Sequence, residues 1–162
     1  WSHQLTITAW RVVKQQFATA AFDGKGARIF GGRWHSSGRA VVYTSATTSL
    51  GLLEQLVHAD TGLLPFYVAI PVHFDANLTQ SIEPGKLPTN WRSHPAPYEI
   101  QSIGDDWIVS TRSCILEVPS VIVPHESNYI LNPNHPDFAS LEFGSPIGLD
   151  MDERLASRSS KN

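Results

Sequence analysis

The stretch Gly31-Gly32-Arg33-Trp34-His35-Ser36-Ser37-Gly38, then Val41-Val42-Tyr43-Thr44-Ser45, then a helix signal that carries Glu54, constrains this chain more than any other segment. Glycines bracket the arginine, so the backbone can turn sharply and let a ligand come close. The Val/Tyr/Thr run over 40–45 lies between Gly38 and a Ser/Thr cluster and reads as a strand. Thr47, Thr48 and Ser49 are helix-capping residues; the helix they open is expected to run to about Ala59, with Gly62 ending it. At 3.6 residues per turn, Leu50, Leu53, Glu54 and Val57 share one face while Leu52 and Leu56 cover another. The helix is therefore expected to be buried on most sides, with Glu54 directed into the interior or a cleft. A carboxylate there is costly without a partner or a task. It pairs with an internal arginine, or it serves a ligand. Arginine binds phosphate through a planar fork. The Arg33, Tyr43 and Glu54 set points to a phosphorylated, ribose-bearing ligand.

Around this centre the pattern alternates short strands with few helices. Thr6–Val13 reads as a strand, and 17–28 as irregular with one helical turn at 17–21. Residues 64–72 read as a strand that Pro71 places on an edge. A long proline-bearing loop over 73–98 is expected to hold a short strand near Ser81-Ile82-Glu83. Gly104-Asp105-Asp106-Trp107 resembles a helix start, with Asp105 as the cap and an end near Ser113. Cys114–Val118 and Val121–Val123 read as strands around Pro119, followed by short strands at 129–131 and 144–150 and a polar tail from Arg154. The fold class is a mixed α+β domain, one domain over 1–162 with its core at about 8–155.

Composition narrows the function classes. A net charge of −3 argues against nucleic-acid binding driven by bulk positive charge. The single cysteine, Cys114, excludes an internal disulfide framework and a multi-cysteine metal site; in Cys114-Ile115-Leu116 it reads as a core thiol. No apolar run approaches the ~20 residues of a membrane span. The first residues lack a charged lead followed by an apolar run, so no leader and a cytoplasmic location are expected. The seven histidines include no H-x-x-x-H pair, so no metal site is expected. Gly24-Lys25-Gly26 does not complete a dinucleotide fingerprint, because position 29 is Ile.

Further residues are candidates beside the central three. Arg11 within the first strand either snorkels from an edge or clamps phosphate, and Arg28 is either solvent-facing or a substrate contact. Tyr43 is either strand core or a ring that stacks on a planar ligand group. Ser120, in Val118-Pro119-Ser120, lacks the G-x-S-x-G context of a nucleophile and is expected to hydrogen-bond a ligand. Asn132 is a weaker candidate of the same kind in the Asn/Pro-rich run 128–136, where His135 reads as a turn residue.

Several blocks together resemble one family. They are Gly26-Ala27-Arg28 with Gly31-Gly32-Arg33-Trp34; Val42-Tyr43-Thr44-Ser45; Ser49-Leu50-Gly51-Leu52-Leu53-Glu54; Ile103-Gly104-Asp105-Asp106-Trp107; Val118-Pro119-Ser120; and Asn128-Tyr129-Ile130-Leu131-Asn132-Pro133. In order and number they resemble the RES-domain family, the toxin component of bacterial RES–Xre type II toxin–antitoxin pairs. The resemblance runs from Trp10-Arg11 to Asp152-Glu153-Arg154-Leu155, and the family's name letters fall on Arg33, Glu54 and Ser120. His35 and Gly51 depart from it, since the family usually shows Asn and Ala there.

The resemblance implies a fold similar to the ADP-ribosyltransferase toxins. It implies NAD as substrate, cleaved by hydrolysis or phosphorolysis, with depletion of cellular NAD and growth arrest. By analogy with glycoside cleavage, a cation develops on the ribose. Glu54 would stabilise it, Arg33 with Arg11 as second choice would clamp the pyrophosphate, Tyr43 would stack on nicotinamide or ribose, and Ser120 and Asn132 would fix the ligand. No cofactor is required beyond NAD as substrate and, in the phosphorolytic case, inorganic phosphate as co-substrate. An Xre-type antitoxin covering the cleft is the implied partner, with room for a homodimer of this chain in that complex. No direct nucleic-acid or membrane binding is expected. Two alternatives remain open: transfer of ADP-ribose to a protein, and a non-catalytic nucleotide- or partner-binding domain.

Overall fold

The computed structural model describes residues 5–58 and 66–155. They form one eight-stranded sheet with helices against it, an α+β fold. The strands are β1 (Thr6–Lys14), β2 (Val42–Ser45), β3 (Tyr67–Asp75), β4 (Thr79–Ser81), β5 (Ile115–Pro119), β6 (Ser127–Leu131), β7 (Glu142–Phe143) and β8 (Ile147–Leu149). The α-helices are α1 (Lys25–Phe30), α2 (Thr48–Leu56) and α3 (Tyr98–Ser110). The sheet order is β4-β5-β6-β2-β1-β3-β7, with β8 also on β3. Every pairing is antiparallel except β4 with β5.

β1 and β3 pair along their full length, from Thr6 with Asp75 to Lys14 with Tyr67. Such a pair of β-branched runs supplies a rigid central ladder. One face of the sheet packs Val72, Phe74, Ile115, Tyr129 and Leu131 around the buried thiol of Cys114. Burial pushes that thiol's pKa up to about 11, so it stays protonated. The other face packs Leu116, Val118 and Ile130 against Ile100 and Trp107 of α3 and against Trp34. That second contact decides the site, because Trp34 belongs to the arginine loop.

Several expectations change in the folded chain. β3 is not an edge strand: β1 lies on one side, and β7 and β8 lie on the other. Pro71 is tolerated because β8 pairs with Tyr67–Ala69 and β7 with Val72–His73, so the outer ladder lapses at the proline. Residues 25–30 form a helix rather than irregular chain. The exposed segment has no apolar period, and left-handed glycines bound it, Gly24 at φ 72° and Gly31 at φ 69°. α3 starts at Tyr98, so Asp105 is mid-helix and not a cap. Its carboxylate turns sideways and accepts hydrogen bonds from the Ser36 N–H at 3.0 Å and the Ser36 hydroxyl at 2.6 Å. Val121–Val123 is a bend, because the Ser120 hydroxyl accepts the N–H groups of Ile122 and Val123, both at 3.1 Å, and ends the strand direction. α2 has Thr47 as its N-cap, its side chain accepting from the Leu50 N–H. Leu53 and Val57 of that stretch are exposed, so the helix is buried on fewer sides than its apolar content implied. α2 ends at Leu56 with Val57 as its C-cap, short of the expected end near Ala59; Gly62, Leu64 of the third strand and the tail beyond Leu155 lie outside the described residues.

Candidate active site

The sheet comes apart at one seam, and the cavity lies there. β1 and β2 share a single registered pair, Trp10 with Ser45, before they diverge. A cavity of about 710 Å³ opens beside that pair, lined by Trp10, Arg11 and Val12 on β1 and Tyr43, Thr44 and Ser45 on β2. Its volume lies within the ~300–1,000 Å³ of small-molecule sites. α2 adds Gly51, Glu54 and Gln55 from one face, and the turn after it adds His58. The arginine loop adds Gly31–Trp34, and the strap over 91–96 adds His94, Pro95 and Ala96.

Arg11 spans the seam. Its Nε donates to the Ala21 carbonyl at 3.1 Å and its Nη1 to the Tyr43 carbonyl at 3.2 Å, supplying a donor where the ladder lapses. Burial lowers its pKa to about 10, against the pull of Asp23, so it remains a cation at neutral pH. Arg33 enters from the loop and donates through Nη1 to the carbonyls of Ser93 at 2.9 Å and Trp91 at 3.2 Å, which ties the strap to the loop. Burial lowers its pKa, while the charge of Glu54 and the Tyr43 hydroxyl act in the opposite direction. The guanidinium carries five N–H donors, so the two carbonyls leave most of its donors for an anion.

Glu54 is held by a chain of hydrogen bonds from two strands. Its Oε1 accepts from the Ser120 hydroxyl at 3.0 Å and from Asn128 Nδ2 at 2.8 Å. Asn128 Oδ1 in turn accepts from the Ser45 hydroxyl at 2.8 Å, its cross-strand neighbour. The internal ion pair weighed for Glu54 is not formed: both partners on Oε1 are neutral, and Arg33 acts on it through its charge alone. One oxygen is thus fixed, and the carboxylate lines the cavity.

The Tyr43 ring lines the cavity while its hydroxyl turns into the arginine loop, 2.7 Å from His35 Nδ1 and 3.2 Å from the Trp34 N–H. Burial raises its pKa well above the ordinary phenol value, so the hydroxyl keeps its proton at neutral pH and is no source of a phenolate.

The structure therefore brings Arg33, Tyr43, Glu54 and Arg11 to one cavity. It does not bring Ser120 there as a ligand contact. That hydroxyl is fully buried, with its one proton given to Glu54 and its lone pairs taken by two N–H groups. Asn132 is also buried away from the cavity; its Oδ1 accepts the Asn134 N–H at 3.0 Å and shapes a turn. Arg28 is exposed on α1 and lines no part of the cavity. His135 caps the short helix that begins at Pro136, accepting from the Asp137 N–H. Asn128, Gln101 and His58 are site residues that the sequence did not single out. Asn128 heads the Asn/Pro-rich run and one of the blocks that resemble the family, but its role depends on the β2–β6 register. Ser120→Ala is expected to leave the Ile122 and Val123 N–H groups without their acceptor and to lower stability by about 1–3 kcal/mol. Denaturant unfolding measures this.

A family model described as RES domain matches residues 8–152. This chain belongs to the RES-domain family. Among curated RES relatives, Toxin Res of Yersinia enterocolitica is 36% identical over 148 residues, covering 90% of this chain and 97% of that protein. The Prs ADP-ribosylating toxin of a Sphingobium species is 40% identical over 139 residues, covering 82% and 86%. Among solved structures, the M. tuberculosis MbcT–MbcA toxin–antitoxin complex contains a chain that shares the fold at a TM-score of 0.72, with 14% identity, covering 96% of this chain and 89% of that one. The RES match spans the central strands, the arginine loop and the Glu54 helix together, so the whole cavity lies inside the family region.

Proposed function

We propose that this RES-domain chain is the toxin of a toxin–antitoxin pair and that it cleaves NAD at the nicotinamide–ribose bond. The observation that carries the reading is Glu54, a carboxylate fixed at Oε1 by Ser120 and Asn128, on the wall of a cavity that Arg33 enters. Cleavage moves the C–N bonding pair onto the ring nitrogen, and nicotinamide leaves neutral. Positive charge develops on the ribose, by analogy with glycoside chemistry. A carboxylate that is already in place stabilises that charge without reorganisation. An acceptor oxygen then attacks the anomeric carbon and loses a proton. Arg33 holds the pyrophosphate with the donors it does not spend on Trp91 and Ser93. The Tyr43 ring packs beside nicotinamide or ribose. The proposed mechanism uses no metal and no cofactor; NAD is the substrate, with inorganic phosphate as co-substrate in the phosphorolytic case.

Water and inorganic phosphate are the acceptors we place first, with loss of cellular NAD as the toxic effect. A protein acceptor is the second reading, favoured by the Sphingobium relative at 40% identity, which is named as an ADP-ribosylating toxin. Purified chain incubated with NAD, with and without phosphate or EDTA, is expected to release nicotinamide in every condition. Mass spectrometry then identifies free ADP-ribose, its 1-phosphate, or a modified protein. Absence of nicotinamide release overturns the proposal in favour of a non-catalytic binding domain. The likeness to a toxin solved with its antitoxin supports an antitoxin partner, and we place that partner over the cleft. NAD and that partner are then expected to compete, because two ligands of one surface exclude each other reciprocally.

Arg33→Lys tests the clamp. Lysine keeps the charge but loses the fork and cannot satisfy the Trp91 and Ser93 carbonyls in the same geometry. KM for NAD is expected to rise by roughly tenfold or more, the scale of one charge-assisted hydrogen bond. Unchanged kinetics would move the clamp to Arg11.

A further inference from the structure

We propose that His35 is a positioning residue that fixes the Tyr43 hydroxyl and, through it, the reach of Arg33 into the cavity. The proposal rests on the reading of that cavity as the NAD site. His35 is buried at 1% exposure and does not line the cavity. Its ring bridges α1 and β2: Nε2 lies 2.9 Å from the Ala27 carbonyl oxygen and Nδ1 lies 2.7 Å from Tyr43 Oη.

The proton positions follow from what each group can do. A carbonyl only accepts, so Nε2 carries the imidazole proton and donates to Ala27. Nδ1 of the neutral ring then accepts, so the Tyr43 hydroxyl donates to it. The Tyr43 oxygen keeps its acceptor role and takes the Trp34 N–H at 3.2 Å. One phenol thereby holds residues 34 and 35, the two that follow Arg33. Gly32, which precedes it, sits so close that a Cβ there would lie 2.6 Å from Tyr43 Oη and 3.0 Å from His35 Cε1.

The outer side of the loop is held by α3. Gln101 Nε2 donates to the Gly32 carbonyl at 3.0 Å, and the Asp105 carboxylate takes both Ser36 donors. With both sides fixed, the backbone at Arg33 has one position. A side chain that lacks either an acceptor or a donor cannot serve both Ala27 and Tyr43. One of two buried groups would lose its partner, and the hydroxyl would be free to rotate toward the cavity. Histidine suits the place because its two ring nitrogens are an acceptor and a donor on opposite sides.

Five proteins test this: wild type, His35→Leu, His35→Gln, Tyr43→Phe and the Leu/Phe double variant that closes a cycle. His35→Leu is expected to lose roughly 10- to 100-fold in kcat/KM for NAD, the scale of a small misplacement of a positioned group. His35→Gln, whose amide again offers an acceptor and a donor, should recover most of that loss. The double variant should be no worse than Tyr43→Phe alone, since His35 acts through that hydroxyl. Nitrogen-15 spectra of the histidines in the wild-type protein should show His35 neutral and protonated at Nε2, with its Nδ1 signal moving in Tyr43→Phe. Wild-type kinetics in His35→Leu, a Gln variant as poor as Leu, fully additive losses, or an Nδ1-protonated ring would each overturn the proposal. If the wild-type chain leaves NAD untouched, the proposed function fails, and the nitrogen spectra alone decide the role of His35. They also decide it if the Leu variant does not fold.

Discussion

Glu54→Gln is expected to lower kcat for NAD cleavage by roughly 10²–10³, the scale on which a preorganised electrostatic group acts. Thermal unfolding should stay close to wild type. The reason lies in the way the side chain is held. Oε1 accepts from Ser120 and Asn128, and a glutamine carbonyl oxygen can accept from the same two donors. The substitution therefore keeps the hydrogen bonds that fix the group and deletes the charge that faces the developing cation. It also removes the anion whose field acts on Arg33. That change makes Arg33 a better site for phosphate oxygens, so KM is expected to stay level or fall while kcat drops. A joint rise in KM with kcat intact would mean that Glu54 serves binding alone, and near-normal kcat in a folded variant would remove it from the chemistry. In cells, the same substitution should abolish both the fall in NAD and the growth arrest that the proposed function implies.

Much of this site could be read from local sequence, and the remainder could not, for a physical reason. The Tyr43 strand and the Glu54 helix are local objects with a period, a cap and a turn, and they appear where their patterns place them. The seam that makes the cavity is not local. It exists because β1 pairs with β3 along nine residues but with β2 at one, and no periodicity within β1 records that difference. Ser120 illustrates the same limit. A serine after a strand offers a hydroxyl, but only the meeting of two distant segments shows that the hydroxyl faces Glu54 and a bend instead of a ligand. Asp105 misled for the opposite reason. A Gly-Asp-Asp run carries a local capping signal, yet the helix had already begun at Tyr98, and the tertiary contact with Ser36 claimed the carboxylate. The rule that places proline on an edge concerns its missing donor, and the fold meets it between two short outer strands, where the Pro71 carbonyl still accepts from the Gly144 N–H.

Gly104→Ala is expected to destabilise the chain by about 2–4 kcal/mol, toward the upper end of what overpacking causes, and to lower activity with it. Local propensity argues the other way, since alanine in place of a helical glycine is worth up to about 1 kcal/mol in favour. The packing term is the larger. A Cβ built on Gly104 falls on the backbone carbonyl of Trp34, and backbone cannot rotate away as a side-chain end can. Two responses are available. The helix backs off, which opens the face where Ile100 and Trp107 pack with Trp34 and loosens the Gln101 and Asp105 bonds to the loop. Otherwise the loop moves, and Arg33 leaves the position from which it meets Trp91, Ser93 and the cavity. Both responses reach the arginine, so stability and kcat/KM should fall together. Gly85→Ala is the control, because a Cβ there meets nothing within 4 Å, and it should change neither. Urea unfolding with steady-state NAD kinetics on the two variants separates the cases. An alanine at position 104 with wild-type stability and turnover would mean that helix and loop are not in backbone contact, and the support for Arg33 would have to come from the Tyr43 side alone.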